Sequence, residues 1–156
     1  MEGSGLDSQE QTLQAKSILV VDDDKDILLL YRMILSTAGY SVETADTGAS
    51  AIEKSKTQRF EVATFDIVLP DMQGTTLLAK INGPLNQKMR KIMITGNASL
   101  ENAIQSLNLG ANAYLRKPVD KETLLETVAG QLRIQDEQKW TTQEKILKKP
   151  EASKTK

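Results

Sequence analysis

The sequence predicts an α/β protein in which helices cover both faces of a five-stranded parallel sheet, a doubly wound fold. Five short apolar segments alternate along the chain with five segments whose apolar residues recur at helical spacing. The first short segment is apolar without interruption, which indicates a strand buried on both faces. The 156 residues fit a single domain that buries a core of its own.

The first strand and the helix after it are the clearest elements. Residues 17–21, Ser-Ile-Leu-Val-Val, form the uninterrupted apolar strand, and three aspartates follow it. Asp24 is a suitable N-cap for the helix, and Gly39 is a suitable residue to end it. One stripe of that helix is apolar and consists of Ile27, Tyr31, Ile34, Leu35 and Ala38.

The remaining elements repeat this alternation. The further strands are predicted at residues 41–45, 61–66, 91–95 and 113–115, and the more polar second strand is expected at an edge. Helices are predicted at 47–55, at 75–81, between Ser99 and Gly110, and at 121–134. The fourth helix carries Leu100, Ile104 and Leu107, and the last aligns Leu124, Val128 and Leu132. Topology and handedness rules favour the flavodoxin-like strand order 2-1-3-4-5.

The predicted organisation is a flexible leader at residues 1–15, the domain at 16–135 and a lysine-rich tail at 136–156. The tail is expected either to extend the last helix or to be disordered, with Lys148-Lys149-Pro150 ending any helix. In the first case Trp140, Ile146 and Leu147 would dock on a partner. The tail is too short for a second core, so we expect a stand-alone domain that signals by protein contact.

Composition excludes several classes of chemistry. The chain has no cysteine and no histidine, which excludes disulfides, thiolate catalysis, Ser-His-Asp hydrolysis and HExxH zinc sites. The formal net charge is −1, so the overall charge of the chain does not attract nucleic acid or anionic lipid. No apolar run is long enough for a membrane helix and no signal peptide is visible, so we expect a cytoplasmic protein without direct nucleic-acid or membrane binding.

Five polar residues are predicted to meet at the carboxyl edge of the sheet, where ligands of such folds bind. They stand at the ends of four strands and are Asp22, Asp23, Asp66, Thr95 and Lys117. Three carboxylates in one pocket repel each other unless a cation joins them, and a set of oxygen ligands suits Mg²⁺. A carboxylate can itself be the nucleophile of phosphoryl transfer, with a metal ion, a lysine and a hydroxyl stabilising the transferred group.

Each of these residues also has a simpler interpretation. An aspartate after a strand is commonly a helix N-cap, which is the role we assign to Asp24. A single lysine near a strand end is usually solvated, and a single threonine usually just favours the sheet. Because all five residues are predicted at the same edge of the sheet, a binding site is the favoured interpretation.

Four motifs make the chain resemble the receiver domains of two-component response regulators. The resemblance covers roughly residues 16–134, and all five hallmark residues of the family are present in order. The motifs are residues 20–24 (VVDDD), 65–74 (FDIVLPDMQG), 94–98 (ITGNA) and 113–118 (AYLRKP).

The resemblance implies a role for each matched residue. Asp66 is implied as the acceptor of a phosphoryl group from the phosphohistidine of a sensor histidine kinase or phosphotransfer protein. Asp22 and Asp23 are implied as the acid pocket for Mg²⁺, ligated by Asp23, Asp66 and the backbone carbonyl of Val68. Lys117 would pair with Asp66 at rest and with a phosphoryl oxygen afterwards, and Thr95 would hydrogen-bond the phosphoryl group.

The resemblance also implies a switch. Thr95 and Tyr114 would move together on phosphorylation, changing the face formed by the fourth helix, fifth strand and fifth helix and so altering partner binding. The bond before Pro118 is implied to be cis, and Gly74 to allow a positive φ or a close backbone approach. Val68 and Asn97 flank the path of an attacking water, and because Val68 cannot orient that water we expect a moderately long-lived phosphate.

Three classes of function stay open. The first is a phosphorylation-switched signalling protein, either a monomer or a homodimer that depends on phosphorylation. The second is a phosphate sink or relay without a conformational output. The third is an aspartate-nucleophile phosphatase of the haloacid-dehalogenase type, which has a second aspartate two residues after the nucleophile, where this chain has Val68. We therefore expect no enzymatic activity beyond phosphorylation and dephosphorylation of the chain's own aspartate.

Overall fold

The structure, a computed structural model, describes the backbone of residues 15–154 and the side chains of residues 15–138. Nearly all of the predicted leader, and the side chains of Trp140, Ile146 and Leu147, lie outside the described residues. The strands are β1 (Ser17–Val21), β2 (Ser41–Ala45), β3 (Val62–Phe65), β4 (Arg90–Thr95) and β5 (Ala113–Arg116). The helices are α1 (Lys25–Thr37), α2 (Gly48–Thr57), α3 (Gly74–Lys80), α4 (Leu100–Asn108) and α5 (Lys121–Lys154), with a 3₁₀ turn at Pro84–Asn86.

The five strands are parallel and lie in the order β2-β1-β3-β4-β5, which confirms the predicted topology. β2 is an edge strand, as its polar sequence predicts, and it pairs only with β1 among the described residues. β1 and β3 lie at the centre, and every residue of β3 is buried. These are the two strands that must carry the site if a ligand binds where the strand order reverses.

Alternate residues of each central strand enter two separate cores. Leu19 and Val21 of β1 pack in the core that α2 and α3 cover, which contains Ala51, Leu77 and Leu78. Ile18 and Val20 pack in the other core, which α1 and α5 cover with Leu28, Tyr31, Leu35, Leu124, Val128 and Leu132. The uninterrupted apolar sequence of β1 is thus explained by burial on both faces.

The helix ends follow the predicted caps. The Asp24 carboxylate accepts hydrogen bonds from the backbone N–H groups of Asp26 and Ile27, at 2.9 and 3.4 Å. Ser99 caps α4 by accepting from the Asn102 N–H at 3.1 Å. Gly39 follows α1 with a φ of 102°, a conformation that a residue with a Cβ rarely adopts.

Helix α4 lies where the sequence predicts a helix, but it does not bury the apolar residues whose spacing indicates it. The apolar stripe that predicts the helix faces solvent, because Leu100 is 77% exposed and Ile104 and Leu107 are each 51% exposed. The one fully buried residue of α4 is Ser106. Amphipathic spacing therefore locates the helix correctly but does not show which face contacts the sheet.

Helix α5 is longer than predicted. It runs from Lys121 to Lys154, so the expected end near residue 134 is wrong, and so is the expectation that Lys148-Lys149-Pro150 ends any helix. Residues 135–149 contain neither glycine nor proline, so no helix-breaking residue follows the predicted end before Pro150. Gln135 also fastens the helix to the domain, because its Nε2 donates to the backbone carbonyls of Glu61 and Lys88 at 3.1 and 2.8 Å.

Across the residues searched, no helix combines the length and the apolar character that crossing a bilayer requires.

Candidate functional site

The predicted crevice lies at the carboxyl ends of β1 and β3. Hydrogen bonds of the parallel ladder continue past both strands: the Asp22 N–H donates to the Ala45 carbonyl at 3.1 Å, and the Asp66 N–H donates to the Val21 carbonyl at 3.2 Å. These bonds fix the backbones of Asp22 and Asp66 next to each other. Each carboxylate therefore enters the same pocket at the sheet edge.

Three carboxylates meet in this pocket. Asp22, Asp23 and Asp66 each offer an oxygen, and these oxygens all lie within 4.8 Å of one another. Asp22 and Asp66 are buried, whereas Asp23 is exposed at the rim. An all-oxygen set with one side open to solvent fits a hard divalent cation that keeps part of its water shell. The donor chemistry of these residues is thus suited to Mg²⁺.

Lys117 bridges the two buried carboxylates. Its Nζ lies 2.6 Å from Oδ2 of Asp22 and 2.7 Å from Oδ2 of Asp66. The resemblance implies the pair with Asp66, and the structure adds Asp22 as a second partner. The Lys117 N–H donates to the Thr95 carbonyl at 2.9 Å, and the bond to Pro118 is cis, the geometry that the resemblance implies. The end of β4 thus helps to hold the lysine backbone.

Burial and charge shift two pKa values in the pocket. Burial raises the pKa of the Asp22 carboxyl, and the Asp66 charge raises it further, against opposing hydrogen bonds from Lys117 and the Asp24 N–H. Burial acts to lower the pKa of Lys117, but the hydrogen bonds and charges of Asp22 and Asp66 outweigh it and raise that pKa. The lysine therefore stays charged, while the pocket as a whole retains an excess of negative charge that favours a cation.

Thr95 ends β4, the strand that pairs with β3, and Asn97 lies in the loop that follows. Thr95 is completely buried, and its Oγ1 accepts a hydrogen bond from the Asn97 N–H at 3.1 Å. The Asn97 side chain is exposed, and the backbone carbonyl of Asn97 accepts a hydrogen bond from Asn102 Nδ2 of α4 at 3.0 Å. The threonine hydroxyl is thus linked to α4 through a single residue of the loop.

Tyr114 lies on β5 and packs against the core that α2 and α3 cover. Its hydroxyl oxygen is buried and, with Ser106 Oγ, is one of two such side-chain atoms without a hydrogen-bond partner among the described residues. A buried hydroxyl without a partner costs about 1–3 kcal/mol. The unpaired Ser106 hydroxyl lies on α4 and the unpaired Tyr114 hydroxyl on β5.

The loop after β3 holds Val68 beside the acceptor candidate. The Val68 N–H donates to Oδ1 of Asp66 at 3.2 Å, and the Val68 side chain is 47% exposed. Gly74 closes the loop, and its N–H donates to the Ile67 carbonyl at 2.5 Å. A Cβ on Gly74 would lie 2.0 Å from the Asp66 carbonyl oxygen, so glycine is required here by close backbone approach and not by a positive φ.

Two residues near the pocket were assigned no role there from the sequence. Tyr31 is buried on α1, and its pKa is raised by burial and, in part, by the charges of Asp22 and Asp66. Asp71 lies on the loop after β3, and its carboxylate accepts from the N–H groups of Gly48 and Ala49 at 2.9 Å each. These bonds lower the pKa of Asp71, that from Ala49 most. Its partners are 22 and 23 residues away, so no local motif signals the contact.

Comparison with known proteins decides the family. The family model described as the response regulator receiver domain matches residues 18–129, which is most of the chain. The chain belongs to this family. Receiver domains are signalling domains of two-component systems, and they generally bind a divalent cation at an acidic pocket such as the one formed here by Asp22, Asp23 and Asp66.

One curated relative and two solved structures are similar to this receiver domain in sequence or in fold. The chain is 32% identical over 120 residues to the probable transcriptional regulatory protein TcrX of Mycobacterium tuberculosis, covering 77% of this chain and 51% of the relative. A CheY-like receiver domain protein from Methanospirillum hungatei JF-1 has a TM-score of 0.77 and 47% identity, covering 80% of this chain and 99% of that one. A response regulator from Burkholderia pseudomallei, solved with a phosphorylated aspartic acid, a calcium ion and citrate, has a TM-score of 0.69 and 30% identity, covering 79% and 72%.

The chain spans about half the length of TcrX and a quarter of that of the transcriptional regulatory protein GlrR from Escherichia coli. Because these relatives are transcriptional regulatory proteins, the comparisons lend no support to the expectation that nucleic acid is not a partner.

Proposed function

We propose that this receiver domain accepts a phosphoryl group on Asp66 in a Mg²⁺-dependent reaction and changes its partner binding in response. One observation carries the proposal: the Asp66 carboxylate lies in a cluster of three carboxylates that could hold a metal ion, and Lys117 contacts it at 2.7 Å. The structural neighbour from Burkholderia pseudomallei, which has a phosphorylated aspartic acid and a calcium ion, supports the same chemistry.

The phosphoryl donor in this proposal is the phosphohistidine of a sensor histidine kinase or phosphotransfer protein. The 156 residues contain no histidine, so the phosphohistidine that donates the group lies outside them. An oxygen of the Asp66 carboxylate forms a bond to phosphorus as the phosphorus–nitrogen bond of the donor breaks. The products are an aspartyl phosphate and a histidine whose imidazole nitrogen keeps the bonding electron pair and takes up a proton.

The residues of the pocket have different roles in this transfer. Asp23, Asp66 and the Val68 carbonyl would hold Mg²⁺, with Asp22 adding charge and orientation, and the ion would neutralise the phosphoryl oxygens. Lys117 contributes a second positive charge at the same oxygens. Because Lys117 contacts both Asp22 and Asp66, it can move from Asp66 to the phosphoryl group without losing its contact with Asp22.

The proposed switch begins at Thr95. Its Oγ1 accepts from Asn97 at rest, and a phosphoryl group on Asp66 offers that hydroxyl a charged acceptor instead. Movement of Thr95 toward the phosphoryl group releases the Asn97 N–H and therefore shifts the loop that leads into α4. Tyr114 then repacks with α4, a step favoured by the unpaired hydroxyl that Tyr114 buries in the resting arrangement.

The proposed output surface is formed by α4, β5 and the first turns of α5. Leu100, Ile104 and Leu107 on α4 are exposed, which provides apolar area for a protein partner or for a second copy of the domain. A homodimer that depends on phosphorylation would use this face. A phosphate sink or relay would leave the face unchanged, so the two functions differ in a measurable way.

Two positions tune the lifetime of the phosphate in this proposal. Val68 is apolar and half exposed beside Asp66, and it has no group with which to orient an attacking water. The Asn97 side chain is exposed and lies two residues after Thr95. We expect an aspartyl phosphate that persists for minutes, and decay within seconds of removing the donor would contradict this.

Intact mass spectrometry tests the acceptor. The protein is incubated with acetyl phosphate, with and without Mg²⁺, beside the variant Asp66→Asn. A single Mg²⁺-dependent phosphoryl adduct that is absent from the variant supports the proposal, and an adduct retained by the variant contradicts it.

Hydrogen exchange of the phosphorylated and resting forms then tests the output. Altered protection of α4 and β5 supports the switch, whereas unchanged protection favours the sink or relay. Turnover of a generic phosphate ester would instead favour a phosphatase.

A further inference from the structure

The loop after β3, which carries Val68, is hydrogen-bonded to the first turn of α2 through Asp71. Both oxygens of the exposed Asp71 carboxylate are used: Oδ1 accepts from the Gly48 N–H and Oδ2 from the Ala49 N–H, each at 2.9 Å. These donors are the first two residues of α2, whose unpaired N–H groups and helix dipole attract an anion. Asp71 therefore makes a two-point contact between the loop and α2.

The same loop carries the backbone of Val68. Val68 and Gln73 form an antiparallel bridge, and the Leu69 N–H donates to the Met72 carbonyl at 3.2 Å, so residues 68–73 form a closed turn. Asp71 lies at the tip of this turn. Any displacement of Asp71 from α2 is thus transmitted through two short backbone links to Val68.

Side-chain packing supports the same contact. Met72 lies against Gly48, where a Cβ would come within 2.5 Å of the Met72 sulfur. Met72 also packs against the core that α2 and α3 cover. The turn is therefore seated on α2 by one apolar contact and one charged contact, while its other end is tied to Asp66 by the Val68 N–H.

We propose that Asp71 is a positioning residue of the metal site, which holds the turn at residues 68–73 on α2 and thereby keeps the Val68 carbonyl in place for Mg²⁺. This inference rests on the proposed function, because it assumes that the pocket binds Mg²⁺ through Val68. Without the contact to α2, the turn must be ordered when the ion binds, and the affinity falls by that ordering cost. Loss of such a supporting group typically weakens a metal site about 10-fold to 100-fold.

Isothermal titration calorimetry of the unphosphorylated protein with Mg²⁺ tests the proposal without any use of activity. The variant Asp71→Ala removes both hydrogen bonds, and we expect its Mg²⁺ dissociation constant to rise about tenfold. The variant Asp71→Asn keeps one acceptor oxygen and is expected to lie between Asp71→Ala and the unmodified protein. It also serves if the alanine variant fails to fold.

The chain offers a matched control. Thr47 caps the same helix, accepting from the Ser50 N–H at 3.0 Å, but it does not belong to the turn. The variant Thr47→Ala should lower the melting temperature and leave the Mg²⁺ dissociation constant unchanged. A helix-capping role of Asp71 alone would instead make the two variants alike in both measurements.

The outcomes separate this proposal from the proposed function. An unchanged dissociation constant in Asp71→Ala, or an equal rise in Thr47→Ala, overturns the positioning role while the unmodified protein still binds Mg²⁺ and is phosphorylated. Absence of Mg²⁺ binding by the unmodified protein overturns both. A rise confined to the Asp71 variants, with phosphorylation rates that recover at saturating Mg²⁺, is the expected result.

Discussion

Replacement of Lys117 by methionine tests the electrostatics of the pocket most directly. The methionine keeps much of the volume of the side chain but removes the ammonium, which lies 2.6 and 2.7 Å from the carboxylates of Asp22 and Asp66. Those two carboxylates and the lysine are all largely buried, at 4%, 10% and 17% side-chain exposure. The variant would thus leave two buried like charges without the cation that joins them.

The size of the effect follows from this geometry. Removal of one partner from a buried ion pair costs about 3–5 kcal/mol, because the remaining charge is desolvated without compensation. Proton uptake by Asp22 limits the loss, since each pKa unit by which this carboxyl rises further corresponds to about 1.4 kcal/mol. For Lys117→Met at pH 7.5 without Mg²⁺, we expect the free energy of unfolding to fall by about 3 kcal/mol. The deficit should shrink at pH 5, because burial already raises the pKa of the Asp22 carboxyl and this group takes up a proton more readily there.

Urea denaturation of the two proteins, with and without Mg²⁺, measures this free energy. The variant Lys56→Met is the matched control: its ammonium lies 3.0 Å from Glu53, but both side chains are more than 60% exposed. A surface pair of this kind is worth less than about 1 kcal/mol. Equal small losses in the two variants, or a Lys117→Met deficit that does not depend on pH, would refute the reasoning.

Three further predictions concern other parts of the domain. Burial raises the pKa of the Asp22 carboxyl above the ordinary 3.8, so this carboxyl takes up a proton at a higher pH than usual. The Mg²⁺ affinity should therefore fall as the pH is lowered toward the raised pKa of Asp22. Calorimetry in buffers of different ionisation enthalpy should show that protons are released when Mg²⁺ binds. Tyr114→Phe removes the unpaired buried hydroxyl and should raise the free energy of unfolding by about 1 kcal/mol, which a fall in thermal stability would contradict. Gln135→Ala removes the two hydrogen bonds that fasten α5 and should destabilise the domain by about 1–3 kcal/mol, whereas Gln105→Ala on the exposed side of α4 should change stability little.

The order of the elements could be predicted because the pattern of apolar residues in each strand and in most helices indicates which faces are buried. Uninterrupted apolar runs such as Ile18–Val21 indicate burial on both faces, as in a parallel sheet between two helical layers. Caps such as Asp24 and Ser99 are local, since the capping oxygen and its N–H partner are two or three residues apart. Local signals of this kind need no knowledge of the tertiary structure.

The end of α5 and the orientation of α4 could not be predicted in the same way. The extension of α5 is one of two alternatives that the sequence leaves open for the tail, and contacts between Gln135 and carbonyls 47 and 74 residues earlier favour it. The apolar stripe of α4 faces solvent although its spacing is that of a buried helix, because periodicity reports a segregated face and not the surface that this face meets.

The sequence by itself determined the strand order and the set of residues at the carboxyl edge, because parallel strands bring their ends together once their number and connections are known. Only the tertiary structure decided how those residues pair. The sharing of Lys117 between Asp22 and Asp66, the burial of the Tyr114 hydroxyl and the contact of Asp71 with α2 all join segments far apart in the chain. Such contacts depend on distances of a few ångströms between elements, and these distances are set by packing rather than by local sequence.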